Sequence, residues 1–336
     1  MSLQPPTFDD GPSAPRAPFI TQATRRRDRQ DVARHLAQPH DGVVHRAALR
    51  AHGIGRHDVR NEVGAGRWAV AGRHTVVVEG RAILAGRARW WWAVWESGSG
   101  ARLDGVSALL AQGMDGYVEP TVHVTVPRAS TAYRLPGVTL HRRRGPDPVF
   151  AAGLPRSRPE WAMIRAAQWA RTHRQAALLL CLPVQQRLVS SNRLGQVWAG
   201  LNRGPRHALI DAIVNDLTNG AHSLGELDFT QWCRRYGLPE PTRQSLRTAP
   251  TGRVYLDVEW TDHQLVVEID GIHHLLALNV ISDAWRANEV VLEGARVLRL
   301  PVLGLRVEPE RFMSQVARAL GIAPVMPDVR YTARLA

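Results

Sequence analysis

The sequence predicts an α/β (α+β) chain of several domains, and three patterns predict it. Around residues 41–78, two short helical stretches precede an alternating, strand-like pattern; around 254–270, two β-rich runs flank a short polar interruption; from 159 to 217, apolar residues recur at helical spacing. With 336 residues and 44% hydrophobic content, the chain is long enough for two or more domains with real cores. Its formal net charge of +13 and pI near 11.2 call for an anionic partner, and nucleic acid is the obvious one. Part of that charge follows from composition, because the chain is rich in Ala and Gly and every one of its 43 basic residues is Arg.

Residues 1–36 carry Pro5, Pro6, Pro12, Pro15 and Pro18, then Arg25, Arg26 and Arg27, with few apolar side chains; a disordered Arg/Pro-rich arm is expected. The next segment, 37–80, reads as a winged helix-turn-helix. Gly42 to Gly53 is a short helix ended by glycine, Ile54 to Ala65 a second, and Gly66 to Val78 alternates like a small wing. This stretch resembles the N-terminal domain of abortive-infection antitoxins of the AbiE type. The resemblance implies DNA binding, with Arg56, Arg60 and Arg67 as the contacts on or beside the second helix; a helical hairpin that only packs against the rest is the alternative.

From 81 to 150 a mixed α/β segment is expected, with Trp90, Trp91, Trp92 and Trp95 in one helical run and strands near 122–126 and 138–142. Continuous tryptophans at that spacing favour core or interface packing over a base-stacking platform. Arg142, Arg143 and Arg144 before Gly145 and Pro146 read as a basic turn into a linker, and 151–220 as a helical connector.

The final domain is placed at 221–322, with 323–336 as a tail. Ser223 and Glu226 have the spacing of a capping box before a helix that stops at Gly237. In the hairpin that follows, closing the loop between Trp260 and Leu265 sets Asp257 opposite Glu268, with Asp270 two residues along the same face. Like charges directly opposite destabilise a sheet by up to roughly 1 kcal/mol. A divalent cation relieves that repulsion, and Mg²⁺ characteristically uses one or two carboxylates together with substrate phosphate, which suits Asp257 and Glu268. A solvent-facing polar side of the sheet is the plainer alternative. Beyond the hairpin, a helix from Asp283 ends at Gly294, a short strand follows, and Glu308 to Leu320 is a last helix.

Asp257 within Leu256-Asp-Val, Glu268 and Asp270 within Val-Val-Glu-Ile-Asp-Gly, then His273-His274, Asp283-Ala-Trp-Arg286 and Gly294-Ala-Arg-Val-Leu-Arg299 resemble bacterial domains related to very-short-patch-repair endonucleases. These belong to the PD-(D/E)XK nuclease superfamily. The resemblance implies a restriction-endonuclease-like αβββαβ domain and metal-dependent phosphodiester hydrolysis with Mg²⁺ or Mn²⁺. It makes Asp257 and Glu268 metal ligands and Glu226 the acidic residue of the first helix. The motif's lysine position falls on Asp270, and the chain has no lysine at all. Since Arg does not readily give up its proton, the base is left to Asp270, to His273 or His274, or to metal-bound hydroxide; the resemblance favours the histidines. Arg286 either grips a phosphate or pairs with Asp283 one helical turn away.

Two functions are therefore expected as alternatives: a DNA-binding endonuclease-like protein, or a catalytically inactive DNA-binding regulator or antitoxin-like protein that retains a nuclease fold. DNA is the expected partner, with a homodimer or a toxin as further partners. With Cys181 and Cys233 as the sole cysteines, no apolar run near the roughly 18 residues that span a membrane, and no signal-peptide pattern, a cytoplasmic protein is expected.

Overall fold

From residue 22 to 78 the chain runs helix, strand, helix, helix, strand, strand. The computed structural model describes residues 22–80, 83–144, 148–150, 152–202, 204–220, 227, 229–248, 254–272, 281, 284–285, 288 and 297–323. It divides into two units between Glu96 and Ser97.

In the first unit, helix α1 (Gln22–Ala37) leads to strand β1 (Val43–His45), helices α2 (Arg46–Ala51) and α3 (Arg56–Gly64), and the wing strands β2 (Trp68–Val70) and β3 (Thr75–Val78). The sheet order is β1-β3-β2, antiparallel throughout, with Val44 opposite Val76 and Ala69 opposite Val77. That is the winged helix-turn-helix expected for this segment, with one correction. The first helix, expected from Gly42 to Gly53, is shorter: Val43 to His45 form strand β1 instead, because Val43 and Val44 pair with Val77 and Val76 of β3, and the helix runs over Arg46–Ala51. One small core holds it: Ala33 and Ala37 of α1, Leu49 of α2, Val59 of α3, and Val44, Trp68, Val76 and Val78 of the sheet.

Helix α1 corrects the expected arm. From Gln22 onward the chain is helical, and Val32, Ala33, Leu36 and Ala37 recur on one helical face that packs into the core. Four small apolar residues suffice to dock a helix whose composition is otherwise polar; residues 1–21 lie outside the described residues. The unit also extends beyond the expected boundary at 80. Helix α4 (Gly86–Glu96) belongs to it, with Trp91 edge-on to His40 at 4.5 Å between centroids and Trp95 edge-on to His45 at 5.5 Å.

The second unit opens on a five-stranded sheet ordered β6-β5-β4-β8-β7, from β4 (Arg102–Leu103), β5 (Val122–Pro127), β6 (Val138–Arg143), β7 (Val149–Phe150) and β8 (Arg156–Ser157), with the short helix α5 (Gly105–Leu110) between β4 and β5. Helices α6 (Pro159–Trp169), α7 (His173–Gln185), α8 (Ser191–Ala199) and α9 (His207–Asn219) follow. They are more than a connector. Met163, Ile164, Leu180, Leu194 and Ile210 are all fully buried, and Asp216 of α9 takes a bidentate bond from Arg306 near the chain's end at 3.1 and 3.2 Å. Asp104, also fully buried, accepts from Thr125 Oγ1 at 2.6 Å and from Arg165 at 2.5 Å, so its charge is paired as a buried charge must be. His141 stacks on Trp169 at 3.4 Å, and burial pushes its imidazole down to about 4.

The last part has helix α10 (Phe229–Arg235), strands β9 (Arg243–Thr248), β10 (Val254–Trp260), β11 (Leu265–Asp270) and β12 (Val297–Pro301), then helices α11 (Val302–Val307) and α12 (Pro309–Ala319). The order across the sheet is β12-β11-β10-β9. Neighbouring pairs are antiparallel from β9 to β11, and β12 runs parallel to β11. A parallel neighbour requires a crossover, and Ile281, Ala284, Trp285 and Asn288 within it are helical. The sequence is thus αβββαβ, with β9 the strand that patterning alone did not mark, because Arg243, Gln244, Arg247 and Thr248 expose polar side chains on an edge. Among the described residues, no helix is long and apolar enough to cross a membrane.

Candidate functional site

The hairpin of β10 and β11 has the expected register: Trp260 pairs with Leu265 and Asp257 stands opposite Glu268. Period-two alternation explains which side each residue takes. Leu256, Val258, Trp260, Leu265, Val267 and Ile269 are buried, while Asp257, Glu259, Glu268 and Asp270 lie on the half-exposed face. Trp260 Nε1 donates to the Pro239 carbonyl at 3.0 Å, which pins the end of β10 where the loop begins.

Two arginines to which sequence reading gave no role at the site complete this face. Arg247 of β9 lies 2.6 Å from Asp257 Oδ2, and Arg299 of β12 lies 3.1 Å from Glu268 Oε2. Arg299 is held from behind by Asn288, which accepts from its backbone N–H and donates to its carbonyl, both at 2.9 Å. Asn288 also donates to buried Gln315 at 3.1 Å. The signal for Arg299 was present in sequence as the end of an alternating strand. Its partner depended on the parallel register that sets it beside Glu268.

Asp270 lies where the register places it, opposite Tyr255 and two residues, about 6.6 Å, along the same face from Glu268. Among the described residues, no three His, Cys, Asp or Glu side chains form a group that could hold a metal. Each of the two carboxylates is instead paired with an arginine of the outer strand beside it.

Asp257 keeps one feature of a ligand. Its Oδ1 is buried and, among the described residues, has no hydrogen-bond partner, while Oδ2 takes Arg247. Burial pushes this carboxyl up; Arg247 opposes that, and the neighbouring Glu268 and Glu259 add to it. An orphaned carboxylate oxygen beside a second carboxylate is a hard, anionic donor pair of the kind Mg²⁺ or Mn²⁺ takes. Among the described residues, Asp257 and Glu268 fit a two-carboxylate metal site. Glu226, His273, His274 and Arg286 lie outside the described residues.

In the first unit, the second helix of the helix-turn-helix is α3. Arg56, His57, Arg60 and Asn61 form one exposed stripe on it, and Val59 and Glu62 face inward. Asp58 closes a capping bond at the helix start, accepting from Gly55 N at 2.9 Å. Arg56 and Arg60 are displayed as expected. Arg67 is not. Its Nε lies 2.5 Å from Oε2 of Glu62, a carboxylate with no exposure, whose Oε1 is held by Arg29 at 2.6 Å. Burial raises the Glu62 carboxyl, but the Arg67 and Arg29 bonds outweigh it and leave it below the ordinary glutamate range. Arg67 is therefore occupied in holding a buried charge rather than displayed for an external phosphate.

The wing turn has a brace that sequence reading missed. Glu96, at the end of α4, accepts from the backbone N–H groups of Arg73 and His74 and from Thr75 Oγ1, each at 2.8 Å. Gly72 makes this possible, since a Cβ there would stand 2.4 Å from Glu96 Cδ. Trp92 Nε1 adds a bond to the Ala71 carbonyl at 2.9 Å. The brace leaves Arg73 exposed at the tip.

No family model matches this chain, and no curated protein matches it. Among solved structures, the chain is similar to the crystal structure of the RV2827C protein from Mycobacterium tuberculosis, at 19% identity and a TM-score of 0.37, over 67% of this chain and 89% of that one.

Proposed function

We propose that this chain binds DNA through its winged helix. The observation that carries the proposal is the exposed stripe of Arg56, His57, Arg60 and Asn61 on α3, next to a wing whose turn is braced by Glu96. A helix of about this diameter fits the major groove, Arg reads guanine edges or grips phosphates, and Asn reads adenine. The net charge of +13 supports the same partner.

For the C-terminal part, the proposed activity is metal-dependent endonucleolytic hydrolysis of phosphodiester bonds, as in very-short-patch-repair-like members of the PD-(D/E)XK superfamily. Asp257 and Glu268 would hold Mg²⁺ or Mn²⁺, which when bound polarises the scissile phosphate and lowers the pKa of water. Arg247 and Arg299 then have a second use, because carboxylates taken by a metal release both guanidiniums toward phosphate oxygens. With no lysine in the chain, the base is left to Asp270, to His273 or His274, or to metal-bound hydroxide.

The arginine pairs favour a second proposal. They already neutralise Asp257 and Glu268, so the fold can serve as a catalytically inactive binding surface in a regulator or antitoxin-like protein. Cleavage of supercoiled plasmid with Mg²⁺, Mn²⁺ or EDTA, beside Asp257→Ala and Glu268→Ala, separates the two. Metal-dependent nicking lost in both variants supports the nuclease. Absence of nicking, with salt-sensitive DNA binding intact in both variants, supports the inactive binder.

A further inference from the structure

Arg299 is the residue of β12 that stands beside Glu268, and its backbone N–H and carbonyl both go to one side chain, that of Asn288. A strand residue directs these two groups to the same side, and β12 is the end strand of its sheet, so both point away from β11. A primary amide carries the donor and the acceptor of a peptide group, and Asn288 closes this edge as one residue of a further strand would. The amide is itself fixed. Its Nδ2 also donates to Gln315 Oε1 at 3.1 Å, and Gln315 Nε2 donates to the Trp285 carbonyl at 3.0 Å. Asn288 and Gln315 are both buried, so one amide network joins helical residues of the crossover, β12 and α12.

Register decides where the Arg299 guanidinium goes. Leu298 and Leu300 are buried, and Arg299 between them stands on the opposite, exposed face. Sliding β12 by one residue against β11 would set a leucine beside Glu268 and turn the guanidinium into the core. A short loop fixes the register of β10 and β11, whereas the connection from β11 to β12 covers residues 271–296, and no tight turn can set register over that length. Asn288 lies within that connection and bonds β12 at Arg299 itself, which supplies the missing constraint. Apolar contact holds layers together without direction; a bonded amide fixes both distance and angle.

We propose that Asn288 is a positioning residue of the carboxylate face, holding Arg299 at the register where its guanidinium meets Glu268. The consequence for hydrolysis rests on the metal and phosphate reading given above; the positioning is measured without it. Nitrogen-15 labelling of arginine in the full chain gives the Arg299 Nε–H signal, identified by its loss in Arg299→Gln. Glu268→Gln is expected to shift that signal in the wild-type background and to leave it unmoved in the Asn288→Leu background, with circular dichroism showing each protein folded. Should Asn288→Leu not fold, Asn288→Ala, which leaves room for water at the lost amide, carries the same comparison. An equal shift in both backgrounds, or none in the wild type, overturns the proposal. Calorimetric titration with Mn²⁺ separates the positioning from the function it serves: Asn288→Leu is expected to tighten Mn²⁺ binding as Arg299→Gln does, and the two together no further. Tighter binding in Arg299→Gln but not in Asn288→Leu counts against the positioning role, whereas no Mn²⁺ binding by any of these proteins counts against the metal reading alone.

Discussion

Asp257 and Glu268 face each other across β10 and β11, yet each is ion-paired away from the other, to Arg247 at 2.6 Å and to Arg299 at 3.1 Å. The outer-strand arginines offset only part of the repulsion that a metal would relieve, and a cation must compete with two guanidiniums for these oxygens. Metal affinity is thereby tied to the arginines: Arg247→Gln and Arg299→Gln are expected to tighten Mg²⁺ or Mn²⁺ binding to the hairpin while weakening its hold on phosphate. In wild type, a cation at about 100 times its Kd raises stability by roughly 2.7 kcal/mol. Thermal unfolding with and without EDTA measures it, and Asp257→Ala is expected to abolish the gain. A wild-type melting temperature indifferent to both cations would rule the metal site out.

The raised carboxyl of Asp257 sets a pH dependence. A carboxylate whose folded pKa lies above its unfolded value is bound to its proton more tightly in the fold, so stability falls as pH rises through the folded value, and the cost is fully present above it. Without metal, Asp257→Asn is expected to remove that cost at neutral pH, leaving stability equal to or up to about 1 kcal/mol above wild type. Urea unfolding in EDTA at pH 4 and pH 7.5 checks the sign, and a clear loss of stability in the Asn variant at pH 7.5 would contradict it.

Glu62 has the opposite behaviour. Its folded carboxyl lies below the ordinary range, so its contribution is present above the unfolded pKa and is lost as pH falls through the folded one. Glu62→Gln is expected to destabilise the winged helix at neutral pH by about 1–3 kcal/mol and to flatten its acid transition. Circular dichroism melts from pH 3 to pH 7 would show this; parallel acid transitions in the two proteins would not fit.

On duplex DNA, Arg56→Gln and Arg60→Gln are each expected to reduce the slope of log Kd against log salt by about 1, since each removes one phosphate neutralisation. Arg67→Gln is expected to leave the slope unchanged and to lower the melting temperature instead, because its guanidinium is spent on Glu62. Anisotropy titrations across a salt series distinguish the three.

Gly72→Ala is expected to push Glu96 out of the wing turn, freeing two backbone donors and costing about 1–3 kcal/mol. DNA affinity should fall along with stability. Glu96→Ala should reproduce the affinity loss without the steric clash, and a Gly72→Ala protein with wild-type stability would show that the brace is dispensable.

The αβββαβ domain and the winged helix were legible where a period was legible. Alternation from Leu256 to Trp260 and from Leu265 to Ile269, with a short polar loop between, is local information, and it was enough to set Asp257 against Glu268. Paired Gly-ended helices before an alternating wing likewise marked α2, α3, β2 and β3. Edge strand β9 and helix α1 were not legible, because a polar edge and an Arg-rich helix with a narrow apolar face look like solvated chain until a partner surface exists.

The sequence by itself determined the carboxylate pair, the exposed arginines of helix α3 and the absence of any lysine. Tertiary structure alone decided what neutralises each charge: Arg247 and Arg299 for the hairpin, Arg29 and Arg67 for Glu62, and Glu96 for the wing turn. Secondary structure follows from spacings of a few residues, whereas pairs such as Arg299–Glu268 and Arg29–Glu62 join groups 31 and 33 residues apart. Only the fold fixes their distance and their shielding from water.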